Sequence, residues 1–364
     1  MRARWTAPGI PTPSLVVDLE VCERNIAAMA RRCTTGGLAL RPHAKTHKTA
    51  EVAARQLAAG ATGLTVATLG EAEVLATHGV DDLFVAYPLW AAGDLGRRLA
   101  SLAGTVRLAV GADSVEGVRL LSGALGRGTE VRVLVEVDCG LRRTGVPPAD
   151  AATVAVCATD CGLAVGGVFT FPGHGYGPGA AAGARDDEER ALAAGAASLE
   201  AAGIECPTRS GGSTPTAPFT RGGVVTELRP GVYVFNDAQQ VALGTCSLDD
   251  VALAALATVV SAPASDRVVL DAGTKVLGAE RPSWTPGHGL LPAYPGAIVT
   301  GLWEHHGVVD VSAVGRGERP RLGEQVAIVP NHVCTAVNLA RALHVVADGA
   351  AVETWSVAAA GANR

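Results

Sequence analysis

Leu38-Ala39-Leu40-Arg41-Pro42-His43-Ala44-Lys45-Thr46-His47-Lys48 carries a short apolar run directly into a segment crowded with Arg, His and Lys. Cationic side chains resist burial unless they are paired or used. Two readings therefore stand: a solvated basic turn, or the end of a buried strand delivering a working lysine. In the second, desolvation and neighbouring cations lower the Lys45 pKa and leave a nucleophilic amine able to form a Schiff base. The flanking sequence decides between them.

On the amino-terminal side, Pro11-Thr12-Pro13 is a rigid entry to Ser14-Leu15-Val16-Val17-Asp18, which reads as a strand. Leu19, Cys22, Ile26 and Met29 then recur at helical spacing until Gly36-Gly37 stops the pattern. On the carboxyl side, buried strand and amphipathic helix keep alternating. The spacing predicts strands at Leu38 to Lys45, Gly63 to Thr68, Asp82 to Pro88, Thr105 to Ala112, Glu130 to Asp138, Ala164 to Pro172, Glu205 to Gly212 and Glu227 to Phe235. Helical stretches such as Thr49 to Ala59, Leu69 to His78 and Ala180 to Ala202 lie between them. Eight β/α units in about 230 residues are the count for a closed (β/α)8 barrel of the TIM type rather than an open sheet. Working residues in such a barrel sit at the carboxyl ends of strands. Lys45, Tyr87, Asp138 to Arg143, His174, Ser210 to Thr216 and Arg229 to Tyr233 all fall there.

Beyond about Thr245 the texture changes to short β-branched runs separated by Gly, Pro or Asp turns, among them Ala257 to Ser261, Arg267 to Asp271, Val308 to Val311, Gln325 to Val329 and Leu343 to Val346. The expected organisation is α/β, with a barrel over residues 22–245 and an all-β domain over 246–364 that also takes 1–21.

A formal charge of -5, with no Lys/Arg cluster longer than a pair, excludes the basic stripe that nucleic acid requires. No apolar run approaches the roughly 20 residues that span a bilayer, so no membrane partner is expected. The eight cysteines lack close-set framework spacing, and the amino terminus leads into Pro8 and Pro11 rather than an apolar segment. These features fit a soluble, reduced, cytoplasmic protein whose partners are small molecules.

Six further motifs are candidates for chemistry. Ser210-Gly211-Gly212-Ser213-Thr214-Pro215-Thr216 packs glycines and hydroxyls where barrels bind phosphate, and Arg229-Pro230-Gly231-Val232-Tyr233 is a second such candidate. Asp138 to Gly145 bears the adjacent Arg142 and Arg143, either able to clamp a carboxylate, and Phe169 to Tyr176 offers aromatics and His174 to a flat ring. Asn331-His332-Val333-Cys334 sets an imidazole and a thiol two residues apart, on one face if the segment is a strand, which suits a zinc-class metal or simply a buried pair. Glu304-His305-His306-Gly307 is a third ligand, a supporting partner or a polar turn.

Arg41-Pro42-His43-x-Lys45-Thr46-His47-Lys48, the Gly211-Gly212-Ser213-Thr214-Pro215-Thr216 loop, Leu228-Arg229-Pro230-Gly231-x-Tyr233-x-Phe235 and Pro330-Asn331-His332-x-Cys334 together resemble the D-serine dehydratase and D-threonine aldolase family. These are fold-type III pyridoxal-phosphate enzymes, relatives of alanine racemase. The resemblance runs from Thr12 to about Val357. It implies that Lys45 is the Schiff-base lysine, and that Gly212, Ser213, Thr214, Gly231, Val232 and Tyr233 surround the cofactor phosphate. It implies Arg143 near the ring oxygen and substrate carboxylate, Arg229 against the pyridine nitrogen, and His332 with Cys334 on a divalent metal, zinc or else manganese; His174, from its own place at the end of the sixth strand, is a further catalytic candidate. The activity implied is a lyase on β-hydroxy D-amino acids. Cys334 favours a dehydratase giving a 2-keto acid and ammonia, because the family's aldolases more often carry His-x-Asp there. A D-threonine aldolase giving glycine and an aldehyde is the alternative. A pyridoxal-phosphate carrier would lack the terminal β domain, and a metal-free racemase would need a second base from a partner subunit. The relatives also imply a head-to-tail homodimer with shared active sites. Two departures stand out: His305 precedes His306 where relatives carry a carboxylate, and the carboxyl end lacks their basic ending.

Overall fold

The computed structural model describes residues 4–126 and 128–364. The chain groups into two compact bodies. One comprises Ala28–Lys45, Val52–Gly231 and Ala362–Arg364; the other comprises the amino-terminal stretch through Ala27, Thr46–Glu51 and Val232–Gly361. This division by contacts is one that no single cut in the sequence reproduces.

In chain order the first elements are β1 (Ser14–Asp18), α1 (Leu19–Gly36), β2 (Ala39–Leu40), α2 (Ala50–Ala58), β3 (Leu64–Val66), α3 (Leu69–Thr77), β4 (Asp82–Pro88), α4 (Gly93–Ala103), β5 (Arg107–Ala112), α5 (Val115–Leu125), β6 (Arg132–Glu136), α6 (Ala151–Asp160), β7 (Ala164–Phe169), α7 (Ala181–Ala201), β8 (Thr208–Gly211) and β9 (Glu227–Leu228). All eight barrel strands expected from the sequence are present. They run parallel in the order β2-β9-β8-β7-β6-β5-β4-β3. The two ends of that order meet through a parallel bridge between His43 and Thr65, with Thr65 N donating to Pro42 O at 2.8 Å. The result is a (β/α)8 barrel.

Side-chain alternation along each strand builds two separate apolar layers. Leu83, Val85, Leu108, Val110, Val133, Val135 and Val168 pack in one cluster with helix residues Leu75, Leu99, Leu121, Val154 and Leu192. The intervening Phe84, Ala109, Leu134 and Phe169 form a cluster of their own inside the barrel. There Phe84 and Phe169 meet edge to face, ring centroids 5.1 Å apart at 85°, the arrangement favoured by the ring quadrupoles. Gly111 makes room for them, since a Cβ on it would come within 2.7 Å of the Phe169 ring.

The second body continues with α8 (Ala238–Ala242), β10 (Leu253–Ala264), β11 (Arg267–Leu270), α9 (Thr274–Leu277), β12 (Gly289–Leu290), β13 (Ile298–Leu302), β14 (Gly307–Asp310), β15 (Gln325–Pro330), α10 (Val333–Leu339), β16 (Ala342–Ala347) and β17 (Ala350–Ser356). Its sheet places β1 between β10, antiparallel, and β16, parallel. Trp5, Val16, Leu256, Val329 and Val346 share one core, and the Trp5 indole N–H reaches Ala252 O at 3.0 Å. The amino-terminal strand is thus an integral part of the β body.

Truncating Phe169 to Ala removes half of the aromatic pair from a closed interior that cannot collapse onto the gap. We expect a loss of about 3–5 kcal/mol, read as a lower denaturant midpoint with an unchanged slope. A loss under about 1 kcal/mol, the scale of a surface change, would contradict a packed barrel interior.

Candidate active site

The basic stretch is not a solvated turn. Arg41, Thr46, His47, Lys48 and Thr49 are all buried, while Lys45 stands half-buried in a 3-10 turn over Ala44–Thr46, just past β2. Proline at 42 halts the strand because it cannot donate to the ladder. The Lys45 ammonium lies 5.6 Å from the centre of the Phe171 ring. Over the same ring, 5.3 Å away, stands the Arg143 guanidinium.

Arg143 takes that position because of the turn before it. Asp138 Oδ1 accepts from Gly140 N at 2.9 Å and Arg142 N at 3.0 Å, an Asx-type closure. Arg142 adopts a left-handed backbone, φ 58, and the chain turns so that Arg143 faces Phe171. Sequence alone left the two arginines equivalent; the turn separates them. His174 sits in the 3-10 turn Gly173–Gly175, its Nε2 3.1 Å from Asp187 Oδ2 and its Nδ1 buried without a hydrogen-bond partner.

The β8 loop is built tightly. Gly212 has φ +85, and a Cβ there would stand 2.4 Å from Leu228 Cδ2, so glycine is required on both conformational and steric grounds. Ser213 N donates to Thr216 Oγ1 at 2.9 Å, and Ser213, Thr214 and Thr216 are buried. Arg229 is buried just after β9, with Nε donating to Ser210 Oγ at 2.8 Å and its guanidinium 5.5 Å and 5.2 Å from the Phe84 and Phe169 rings. Burial lowers its pKa, opposed by the charges of Glu227, Glu188 and Glu136. Gly231 ends the barrel segment, and Val232 and Tyr233 are buried in the 3-10 turn that follows. A half-exposed amine beside an aromatic face and a guanidinium, near a Cβ-free turn with buried hydroxyls, is a donor set that fits pyridoxal phosphate.

Two carboxyls escaped the sequence reading. Glu136, on the same strand face as the interior Leu134, accepts from Thr144 Oγ1 at 2.8 Å, while its second oxygen is buried without a partner. Burial raises its pKa despite the Thr144 bond and Arg143. Its signal was a carboxylate near the end of the Val-rich run 131–137. Glu188, fully buried on α7, accepts the Gly212 N–H through one oxygen, while the other has no partner. Burial pushes its pKa up to about 7 against the Gly212 bond and the Arg229 charge. Nothing in its helical sequence context marked it.

In the β body, His332 and Cys334 are adjacent for a different reason than alternation along a strand. Strand β15 ends at Pro330; His332 is the N-cap of α10 and Cys334 lies in its first turn. The Thr46 hydroxyl, one peptide bond after Lys45, lies 3.3 Å from Cys334 Sγ. His332 Nδ1 is 3.4 Å from Asp237 Oδ2. The Cys334 thiolate, and after it Asp237, hold the His332 pKa well above its ordinary value although burial opposes this. One imidazole and one thiol fit a zinc-class cation and leave positions for water or substrate, as catalytic sites require. Among the described residues no third His, Cys, Asp or Glu completes the set. Glu304 and His305 instead form an exposed turn with Lys275, whose Nζ is 2.8 Å from Glu304 Oε2 and 3.5 Å from His305 Nε2.

Glu188 generates a pH signature. Its folded-state pKa of about 7 lies above the ordinary 4.5, so between those values the folded chain holds a proton that the unfolded chain releases. Stability therefore falls as pH rises through that window and levels off above it. Glu188→Gln keeps the Gly212 acceptor without titrating. From about pH 5 to about pH 8 the wild type should lose about 3 kcal/mol relative to the variant; parallel denaturation curves would contradict the assignment.

Two family models match the chain: "Alanine racemase, N-terminal domain" over residues 17–239 and "Putative serine dehydratase domain" over residues 252–346. The sequence is 37% identical to D-threo-3-hydroxyaspartate dehydratase of Delftia sp. (strain HT23), covering 95% of this chain and 97% of that protein. It is 36% identical to D-threonine aldolase of Arthrobacter sp, covering 98% and 94%. A solved cysteine-to-alanine variant of D-threo-3-hydroxyaspartate dehydratase, in a metal-free form, superposes with a TM-score of 0.90 at 33% identity over 96% of this chain and 98% of that one. The chain belongs to the D-serine dehydratase and D-threonine aldolase family of alanine-racemase-like proteins.

Proposed function

We propose that this protein is a pyridoxal-phosphate-dependent, metal-assisted lyase that dehydrates a β-hydroxy D-amino acid, of the 3-hydroxyaspartate or serine type, to a 2-keto acid and ammonia. The observation that carries the reading is the His332 and Cys334 pair on α10, with the residue after Lys45 touching the thiol. It is supported by the likeness to a dehydratase whose solved variants replace a histidine and a cysteine at the same two-residue spacing.

Lys45 holds the cofactor through its amine; Gly212, Ser213, Thr214, Gly231, Val232 and Tyr233 hold its phosphate, and Arg229 supports its ring. When bound, pyridoxal phosphate supplies a sink for negative charge developing at the substrate Cα. The Lys45 amine, free once the substrate amine has displaced it, would take the Cα proton as general base. Arg143, fixed by the Asp138 turn over Phe171, pairs with the substrate carboxylate. His332 and Cys334 hold a divalent metal, zinc by donor type, which supplies Lewis acidity toward the β-oxygen. His174, held by Asp187 through Nε2, has Nδ1 left to move a proton. We infer a homodimer with shared sites working in the reducing cytoplasm, in line with eight free cysteines.

An aldolase uses the same groups, so product decides. Protein loaded with cofactor and zinc should convert D-threo-3-hydroxyaspartate or D-serine to keto acid and lose that activity on chelation. Glycine and an aldehyde as products would replace the dehydratase reading, and activity untouched by complete metal removal would refute the role given to His332 and Cys334. Borohydride reduction and peptide mapping should place the cofactor mass on the Lys45 peptide; a label elsewhere overturns the lysine assignment.

A further inference from the structure

Asp237, two residues past Phe235, is completely buried. Its Oδ1 caps α8 by accepting from Gln240 N at 2.9 Å. A cap needs only that one oxygen, and Asn, Ser or Thr supply it without bringing a charge into the core. The second oxygen explains the carboxylate. Oδ2 accepts from Val333 N at 3.2 Å and lies 3.4 Å from His332 Nδ1. Its ion-pair partner among the described residues is that imidazole alone. Two backbone donors, the Gln240 N–H and the Val333 N–H, thus converge on one side chain, and the His332 Nδ1 stands 3.4 Å from it, in reach of a third bond if it carries a proton. Two carboxylate oxygens can accept all three; an amide has a single oxygen and would turn an NH2 group toward at least one of them.

We propose that Asp237 is the positioning residue that fixes the His332 ring with Nδ1 as donor and Nε2 directed away, free to bind a metal. An imidazole hydrogen-bonded through one nitrogen to a carboxylate has its tautomer and orientation set, and the opposite nitrogen becomes the more basic ligand. The same oxygen anchors the Val333 amide, so ring and helix start are held together, with Cys334 one residue further. This inference rests on the reading of His332 and Cys334 as metal ligands.

The test compares wild type with Asp237→Asn, each loaded with pyridoxal phosphate, measuring zinc affinity by competition with a chromogenic chelator. Bound cofactor and circular dichroism are recorded alongside. Losing a carboxylate behind a metal-bound histidine weakens affinity by about 10–100-fold, and that drop is expected with cofactor content unchanged. A purely structural cap would lower the unfolding midpoint and leave zinc affinity within about threefold, which would overturn the proposal. Should the variant not fold, nitrogen-15 histidine spectra of zinc-loaded wild type decide: coordination through His332 Nε2 with a proton on Nδ1 supports it, and coordination through Nδ1 overturns it. Wild type that binds no divalent metal would instead sink the ligand reading itself, and this inference with it.

Discussion

The Arg41 guanidinium is the fixed point of the barrel. Its Nε meets Glu227 Oε2 at 2.8 Å and its Nη1 meets Asp82 Oδ1 at 2.6 Å, tying the end of β2 to the starts of β9 and β4. Charges taken out of water hold together only when their remaining hydrogen-bonding positions are filled. Here Ser210 Oγ donates to Glu227 Oε1 at 2.6 Å, and Arg107 Nε to Asp82 Oδ2 at 3.2 Å. Burial works against the Arg41 charge, yet Glu227 and Asp82 outweigh it and its pKa is raised. Removing one member would strand a buried charge, a penalty of about 3–5 kcal/mol. Gly63 answers to the same constraint, because a Cβ there would lie 2.3 Å from Arg41 Nη1.

From Glu227 the network rises toward the mouth. The Ser210 hydroxyl donates to Glu227 and accepts from Arg229 Nε, and Arg229 also donates to the Thr170 carbonyl. Arg229 is therefore held from below by the same carboxylate that grips Arg41. It faces three buried carboxyls, Glu227, Glu188 and Glu136. Glu227 is already paired with Arg41, while burial raises the pKa of Glu188 and Glu136, opposed in each case by the Arg229 charge.

The sequence showed the barrel because strand and helix periods differ and the β-branched runs are short and bounded. Even so, β2 and β9 shrink to two residues each, since Pro42 and Pro230 end their ladders. Lys45 and the β8 glycines stood out because each lies at a strand end where packing gives no reason for it, whereas the Asp138 turn was needed to tell Arg143 from Arg142. Alternation misjudged the His332 and Cys334 pair: Pro330 and Asn331 close β15, and a helix start brings the two side chains together instead. Glu188 and Asp237 were not legible at all. Their partners lie 24 and 95 or more residues away, at Gly212 and at His332 and Val333, and no local pattern encodes such a pairing.

One short stretch serves both bodies, residues through Lys45 belonging to the barrel and Thr46–Glu51 to the β body. Arg41 reaches Asp82 and Glu227, while Lys45 faces Phe171. Thr46 contacts Cys334, and Lys48 Nζ donates to Asn338 Oδ1 at 2.7 Å on the helix that carries Cys334. Lys48 adopts a left-handed backbone, φ 53, a conformation that an ordinary side chain holds only when its surroundings demand it. The Asn338 bond, together with the Lys48 carbonyl accepting from Ala359 N at 3.1 Å, supplies that demand. The left-handed turn at Lys48, three residues past Lys45, is thus held by bonds within the β body.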